Sequence, residues 1–193
     1  LKLVLATHNQ GKVAELRAVL EPAVPGLELL GYDGPEPVEN GTSYLENALI
    51  KARVAHMHTG LPALADDSGI AVEILGGSPG IFTAIWGGTK DNEANRRLLL
   101  TQLRDIGAAH RSAAFICTLA LVTADSELSF TGHWPGSVAF EERGTNGHGY
   151  DPVFIPEGFD VTAAELEPEI KNALSHRSQA LGELISYLKT QAL

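Results

Sequence analysis

A single cysteine, Cys117, is the whole thiol inventory of this 193-residue chain, which excludes a disulfide framework within it. That cysteine lies in the apolar run of residues 113–122, where its expected role is that of a small buried hydrophobe. Basic charge is also scarce. Fourteen Lys and Arg stand against 24 Asp and Glu, a formal net charge of -10 at pH 7, and such a field opposes attraction to a nucleic acid backbone. No apolar run approaches the roughly 20 residues that a membrane helix needs. No basic leader with an apolar centre and cleavage site opens the sequence. The expectation is a cytoplasmic protein with neither nucleic acid nor membrane as partner. A Gly-x-Ser-x-Gly elbow is absent, so a serine hydrolase has little support. His56, His58, His110 and His133 have no carboxylate or cysteine at metal-ligand spacing, which argues against zinc.

What is present suits one ordinary folded domain over residues 1–193. With 44% hydrophobic residues the chain can bury a core, and it has room for two lobes but not for two full domains. Residues 1–7 read as a strand, and Val13, Leu16, Val19 and Leu20 recur at helical spacing after Gly11. Residues 27–30 suggest a second strand. Ser43-Tyr44-Leu45-Glu46 is a capping-box pattern opening a helix to about His58, with Leu45, Ala48, Leu49, Ala52 and Ala55 as its core face. Residues 63–65 form a brief strand ending at Asp66-Asp67-Ser68-Gly69. Asp91 can cap a helix carrying Leu99, Leu103 and Ile106, which Gly107 stops. Residues 112–123 and 127–134 flank a hairpin turn, 137–142 is expected as a third antiparallel strand, and two helices close the chain. Early strand-helix units followed by a meander imply an α/β fold with a mixed sheet.

Four constellations carry possible chemistry. In Thr7-His8-Asn9-Gln10-Gly11-Lys12 a strand ends, the backbone turns and a helix begins. Free N–H groups and the positive end of the helix dipole attract an anion there, and Lys12 adds a full charge. It is not a Walker loop, because Ala6 stands where the first glycine is required and Val13 follows the lysine. A plain strand-helix turn fits this segment as well. In Asp66-Asp67, successive side chains of an extended segment point to opposite sides, so one acid can face a given site and the other is structural. A carboxylate in that place can hold Mg²⁺ or orient a water. Gly144-Thr145-Asn146-Gly147-His148-Gly149-Tyr150-Asp151-Pro152 is a flexible loop in which His148 or Tyr150 can stack on a base and Asp151 can accept from ring N–H groups, although a surface turn reads equally well. Lys171 with Ser175-His176-Arg177 gathers donors that suit an oxo group.

In this order the constellations resemble the inosine triphosphate pyrophosphatase family, the non-canonical purine NTP pyrophosphatases. The likeness spans nearly the whole chain and is carried by Thr7-x-Asn9-x-x-Lys12, Glu46-Asn47-Ala48 with Lys51, Ala65-Asp66-Asp67-Ser68-Gly69, Leu75-Gly76-Gly77-x-Pro79-Gly80, Gly149-Tyr150-Asp151-Pro152 and Ser175-His176-Arg177. The resemblance implies an elongated mixed sheet flanked by helices, two lobes with a central active-site cleft, and a homodimer. It also implies hydrolysis of ITP, dITP and XTP to the monophosphate and pyrophosphate with Mg²⁺. Carried over, Asp67 is the general base and a metal-linked carboxylate. Thr7, His8, Asn9, Gln10, Gly11, Lys12, Lys51 and Ser68 would hold the triphosphate, and His148, Gly149, Tyr150, Asp151, Lys171, His176 and Arg177 would shape the base pocket. Two positions depart from the family pattern. His148 replaces a common phenylalanine, and Val38 stands where an acid usually binds metal, which moves that expectation to Glu39.

Two other readings stay open at this level. A Maf-like pyrophosphatase would prefer pyrimidine or modified nucleotides. A nucleotide-binding sensor would keep the pocket and lack turnover.

Overall fold

The computed structural model describes residues 1–191. Its strands and helices, in chain order, are β1 (Lys2–Leu5), α1 (Gln10–Ala23), β2 (Glu28–Leu30), α2 (Tyr44–Thr59), β3 (Ala63–Val72), α3 (Asn92–Gln102), β4 (Ser112–Val122), β5 (Glu127–Val138), β6 (Phe154–Pro156), α4 (Pro168–Leu174) and α5 (His176–Gln191). The strands form one six-stranded sheet in the order β2-β1-β3-β4-β5-β6. β1 runs parallel to β2 and β3, whereas β5 and β6 are antiparallel, so the sheet is mixed as expected for this α/β fold.

By internal contacts the chain forms two compact units. The first comprises Leu1–Asp67, Thr118–Thr131 and the stretch from Ala180 onward. Its core sets Ala48, Ala52 and Ala55 of α2 beneath Val4, Ala63, Ala65, Ala120 and Val122 of the strands. The small α2 residues let that helix lie close to the sheet. The second unit comprises Ser68–Cys117 and Gly132–Gln179. Its core is larger-grained, with Ile70, Leu99, Leu103, Phe115, Trp134 and Phe154 fully or nearly fully buried. Each such side chain contributes roughly 1.5–3 kcal/mol by leaving water.

Local chemistry sets the helix starts. Asn9 caps α1 by accepting from the Lys12 N–H at 3.1 Å, and Ser43 caps α2 by accepting from the Glu46 N–H at 3.1 Å. The reciprocal arm of the capping box reaches one residue further back: Glu46 takes the Thr42 N–H and hydroxyl, at 2.5 and 2.8 Å. These bonds hold the Glu46 carboxyl below its ordinary 4.5.

Several boundaries differ from expectation. β3 does not stop before the acids but runs through them to Val72. Its pairing with β1 ends at Leu5 opposite Leu64, so the acidic residues lie just past the end of that neighbour. Residues 137–142 are not a separate strand. Ser137 and Val138 finish β5, and the third antiparallel partner is β6, with Ser137 opposite Ile155. Leu45 and Val19 face solvent, while the polar Asn47 is buried on α2.

Arg111 is only 2% exposed. Its guanidinium donates to the carbonyls of Leu103 at 2.6 Å, Ile106 at 3.2 Å, Val138 at 2.8 Å and Ala139 at 2.6 Å. One side chain thereby ties the end of α3 to the end of β5. Burial lowers the Arg111 pKa from its ordinary value.

Candidate active site

In the first unit, the polar groups gather where β1 ends and β3 continues. The chain leaves β1 through Thr7, whose hydroxyl accepts from the Asn9 N–H at 3.2 Å. Asn9 then caps α1, Gln10 and Gly11 are exposed in its first turn, and Lys12 folds back to pair with Asp66. Asp66 is 6% exposed, the more buried of the two adjacent acids. His8 turns away from this group. Its Nε2 lies 2.8 Å from the Gly34 carbonyl and its Nδ1 3.2 Å from Glu36, with the ring stacked on Tyr32.

Asp67, on the other side of the strand, has an open face. Its side chain is 16% exposed, with Lys51 at 3.6 Å from Oδ1 and the Asn47 amide donating to Oδ2 at 3.3 Å. Lys51 also reaches Glu39 at 2.9 Å. The ammonium therefore links the two carboxylates expected to serve a metal. Burial pushes the Asp67 carboxyl above its ordinary 3.8, aided by the charges of Glu39 and Asp66 and opposed by Lys51 and the Asn47 bond. For Lys51 burial acts downward, and the summed field of Asp67, Glu39 and Asp66 overrides it. The Tyr44 hydroxyl is buried and sits in the Asp67 field, and burial followed by that charge raises its pKa.

Among the described residues, no group of three or more His, Cys, Asp and Glu side chains is arranged to hold a metal ion. The donor chemistry near Asp67 nonetheless fits a hard divalent cation. Its donors are carboxylate oxygens crowded with like charge, and Mg²⁺ needs only one or two of them because it keeps several waters.

The second unit holds the rest of the expected residues. Ser68 opens it, half-buried on β3. Asp151 is 5% exposed, and its Oδ2 accepts from Lys171 Nζ at 2.5 Å and from the His148 N–H at 2.7 Å. The His148 side chain is exposed. Gly147 has φ +75, and a Cβ there would overlap the Asp151 carboxylate, so the close loop requires glycine. The Tyr150 ring is 2% exposed within the core, and its hydroxyl donates to the Thr83 carbonyl at 2.9 Å. The ring is therefore a packing element, and the Gly149 carbonyl is held by Arg96 at 2.8 Å. His176 begins α5 and stacks on Phe115 with ring centroids 5.0 Å apart, beside the half-buried Arg177.

Asn47 and Arg96 were not among the expected site residues. Asn47 stands inside Glu46-Asn47-Ala48, so the motif held a signal for it. Arg96, one of two adjacent arginines on α3, had none.

A family model described as the Ham1 family matches residues 3–187. The chain belongs to the Ham1 family. A dITP/XTP pyrophosphatase of Leifsonia xyli subsp. xyli is 56% identical over 190 residues, covering 97% of this chain and 96% of that one. A protein of the same name from Mycobacterium tuberculosis strain H37Rv is 48% identical over 197 residues, covering 99% and 97%. Among solved Ham1 structures, a HAM1 protein of Coxiella burnetii superposes with a TM-score of 0.92 at 39% identity, covering 98% of this chain and 99% of its own. The Ham1 protein of Staphylococcus aureus gives 0.89 at 33% identity, covering 99% and 100%. These matches bear out the family resemblance carried by the motifs, and with it the mixed-sheet fold.

Proposed function

We propose that this Ham1 protein hydrolyses non-canonical purine nucleoside triphosphates, ITP, dITP and XTP, to the monophosphate and pyrophosphate. Water attacks the α-phosphorus, the α–β phosphoanhydride bond breaks, and pyrophosphate leaves. The observation that carries the reading is the Asp67 environment: a partly buried, raised-pKa carboxylate between a neutral donor, Asn47, and a cation, Lys51. Such a group is a stronger base than a surface aspartate and is held in one orientation, as removal of a proton from an attacking water requires. The names of the relatives support the substrate class.

In this reading Lys12, Lys51 and the N–H groups opening α1 hold the triphosphate, with Thr7, Asn9 and Ser68 as polar neighbours. Asp67 and Glu39 would hold Mg²⁺, which when bound neutralises phosphate charge and polarises the phosphoryl group. Lys171 keeps N–H donors beyond the one given to Asp151, and with His176 and Arg177 it can meet a 6-oxo group. Adenine's amino group would leave such donors unmatched, at about 1–3 kcal/mol. A homodimer and a cytoplasmic setting complete the proposal. Among the described residues, no helix is long and apolar enough to cross a membrane.

The test is pyrophosphate release from a panel of ITP, dITP, XTP, ATP, GTP and UTP, with and without Mg²⁺. Turnover should favour the first three, require the cation and vanish in Asp67→Asn. Equal rates for ITP and ATP would remove the substrate assignment, and a preference for UTP would replace it.

A further inference from the structure

The second unit contains a closed circuit of bonds around the loop expected to meet the base, and its anchor is α3. Arg96 Nη1 donates to the Gly149 carbonyl at 2.8 Å, and Arg96 Nε lies 3.0 Å from Glu142 Oε2. One guanidinium thus grips both ends of residues 142–149. The next residue back on the helix, Asn95, is fully buried. It donates to the Ala84 carbonyl at 2.9 Å and accepts from the Gly87 N–H at 2.6 Å. Tyr150 closes the circuit through its hydroxyl bond to the Thr83 carbonyl at 2.9 Å. The route runs from α3 through Arg96 to Gly149, through Tyr150 to Thr83, and back through Ala84 to Asn95.

Most of this circuit is neutral, and its one charged grip falls on the loop. Gly147 and Gly149 both have positive φ, 75 and 62 degrees. Such residues lose the most freedom on ordering, so the segment needs an outside hold to keep one conformation. Arg96 supplies that hold from a side chain that is itself only 15% exposed. A charge-assisted bond there is stronger than a neutral one.

We propose that Arg96 is the positioning residue of the base pocket. It fixes the turn that presents the His148 N–H to Asp151, the carboxylate that also holds Lys171, without touching the nucleotide itself. The inference rests on the function proposed above, since it assigns the Gly147–Asp151 turn to base recognition. Losing the grip should weaken binding of base-bearing ligands and leave the hold on a bare phosphate chain intact.

The experiment compares the parent with Arg96→Ala and Arg96→Lys by calorimetric binding of IMP and of inorganic tripolyphosphate, and by ITP kinetics. Arg96→Ala should raise the ITP KM and the IMP Kd by about tenfold, the loss expected for one charge-assisted hydrogen bond. Its kcat and tripolyphosphate affinity should stay within about twofold, a difference small against that loss. Arg96→Lys, which can keep one of the two grips, should fall between. Unchanged IMP affinity in Arg96→Ala, or an equal loss of IMP and tripolyphosphate binding in both variants, would overturn the proposal. A parent that binds IMP but fails to hydrolyse ITP would instead overturn the proposed function, because the binding comparison is independent of turnover.

Discussion

Asn47 donates its side-chain amide to Asp67 Oδ2 at 3.3 Å while its own carbonyl oxygen accepts the Gly41 N–H at 2.9 Å. A single buried amide on α2 thus sets both the orientation of the acid and the position of the chain entering the helix. Asn47→Ala removes both bonds and leaves Asp67 held by Lys51 alone. Turnover of ITP should fall by about 10- to 100-fold, the cost of a loosened reacting group, and less than in Asp67→Asn. Steady-state kinetics of the two variants side by side decide it: a kcat within twofold of the parent would show that Asn47 does not orient the base.

The loop of the second unit gives a steric test. Gly147 adopts φ +75, and a Cβ would overlap the Asp151 carboxylate and approach Lys171 Nζ to 2.7 Å. Gly147→Ala therefore meets two penalties, about 1–2 kcal/mol for the left-handed backbone and displacement of the Asp151–Lys171 pair. Thermal unfolding should show a lowered midpoint, and the ITP KM should rise. A variant with parental midpoint and KM would mean that the loop relaxes away from Asp151 freely.

How much of this was legible in the sequence depends on whether the cause was local. Ser43 caps α2 through a bond to Glu46, three residues on, so its capping-box pattern was readable, and the helix start before Lys12 was readable as a turn although its cap, Asn9, was not singled out. The alternation rule implied that only one of Asp66 and Asp67 can face a given site, because adjacent strand residues point apart, while the choice of Asp67 came from the family resemblance. It could not say that β3 continues through the acids, since that depends on a partner strand distant in sequence. The third antiparallel strand was misplaced for the same reason: residues 137–142 have strand-like composition, yet β5 pairs onward with β6. Tyr150 looked like a stacking group, but its hydroxyl finds Thr83, 67 residues away, and the ring is drawn into the core. Arg111 carries no sequence signal, because its partners are backbone carbonyls and any residue type supplies a carbonyl, and Arg96 carries none because its partners, the Gly149 carbonyl and the Glu142 carboxylate, are distant in sequence.

Acid should weaken a specific turn. Glu165 accepts the Thr162 N–H at 2.7 Å and lies 3.6 Å from Arg143. The backbone bond is the first cause holding its carboxyl below the ordinary 4.5, with Arg143 a smaller one. A group whose folded pKa is depressed contributes stability above its unfolded value and loses it as pH falls through the folded one. Glu165→Gln should therefore unfold earlier than the parent at pH 7, with the gap closing as pH drops below 4.5 and through the lowered folded value. Denaturation midpoints measured across that range test the sign. A gap that widens in acid would contradict it.

The strongest stability prediction concerns Arg111. Among the described residues no carboxylate pairs with this buried guanidinium. Its charge is met by four carbonyl oxygens, one of them that of Leu103 at the C-cap of α3, where the helix dipole is negative. The arrangement makes the arginine hard to replace by either size or charge. Arg111→Met can fill much of the volume but leaves buried carbonyls without donors, at about 1–3 kcal/mol for each one that water cannot reach. Arg111→Lys keeps the charge, yet a point-like ammonium cannot span acceptors that a planar fork reaches together. Both variants should lose about 3 kcal/mol or more in urea unfolding, with methionine no better than lysine. Should Arg111→Met match the parent to within about 0.5 kcal/mol, the range of an ordinary surface change, the link from α3 to β5 would rest on apolar packing and not on the guanidinium.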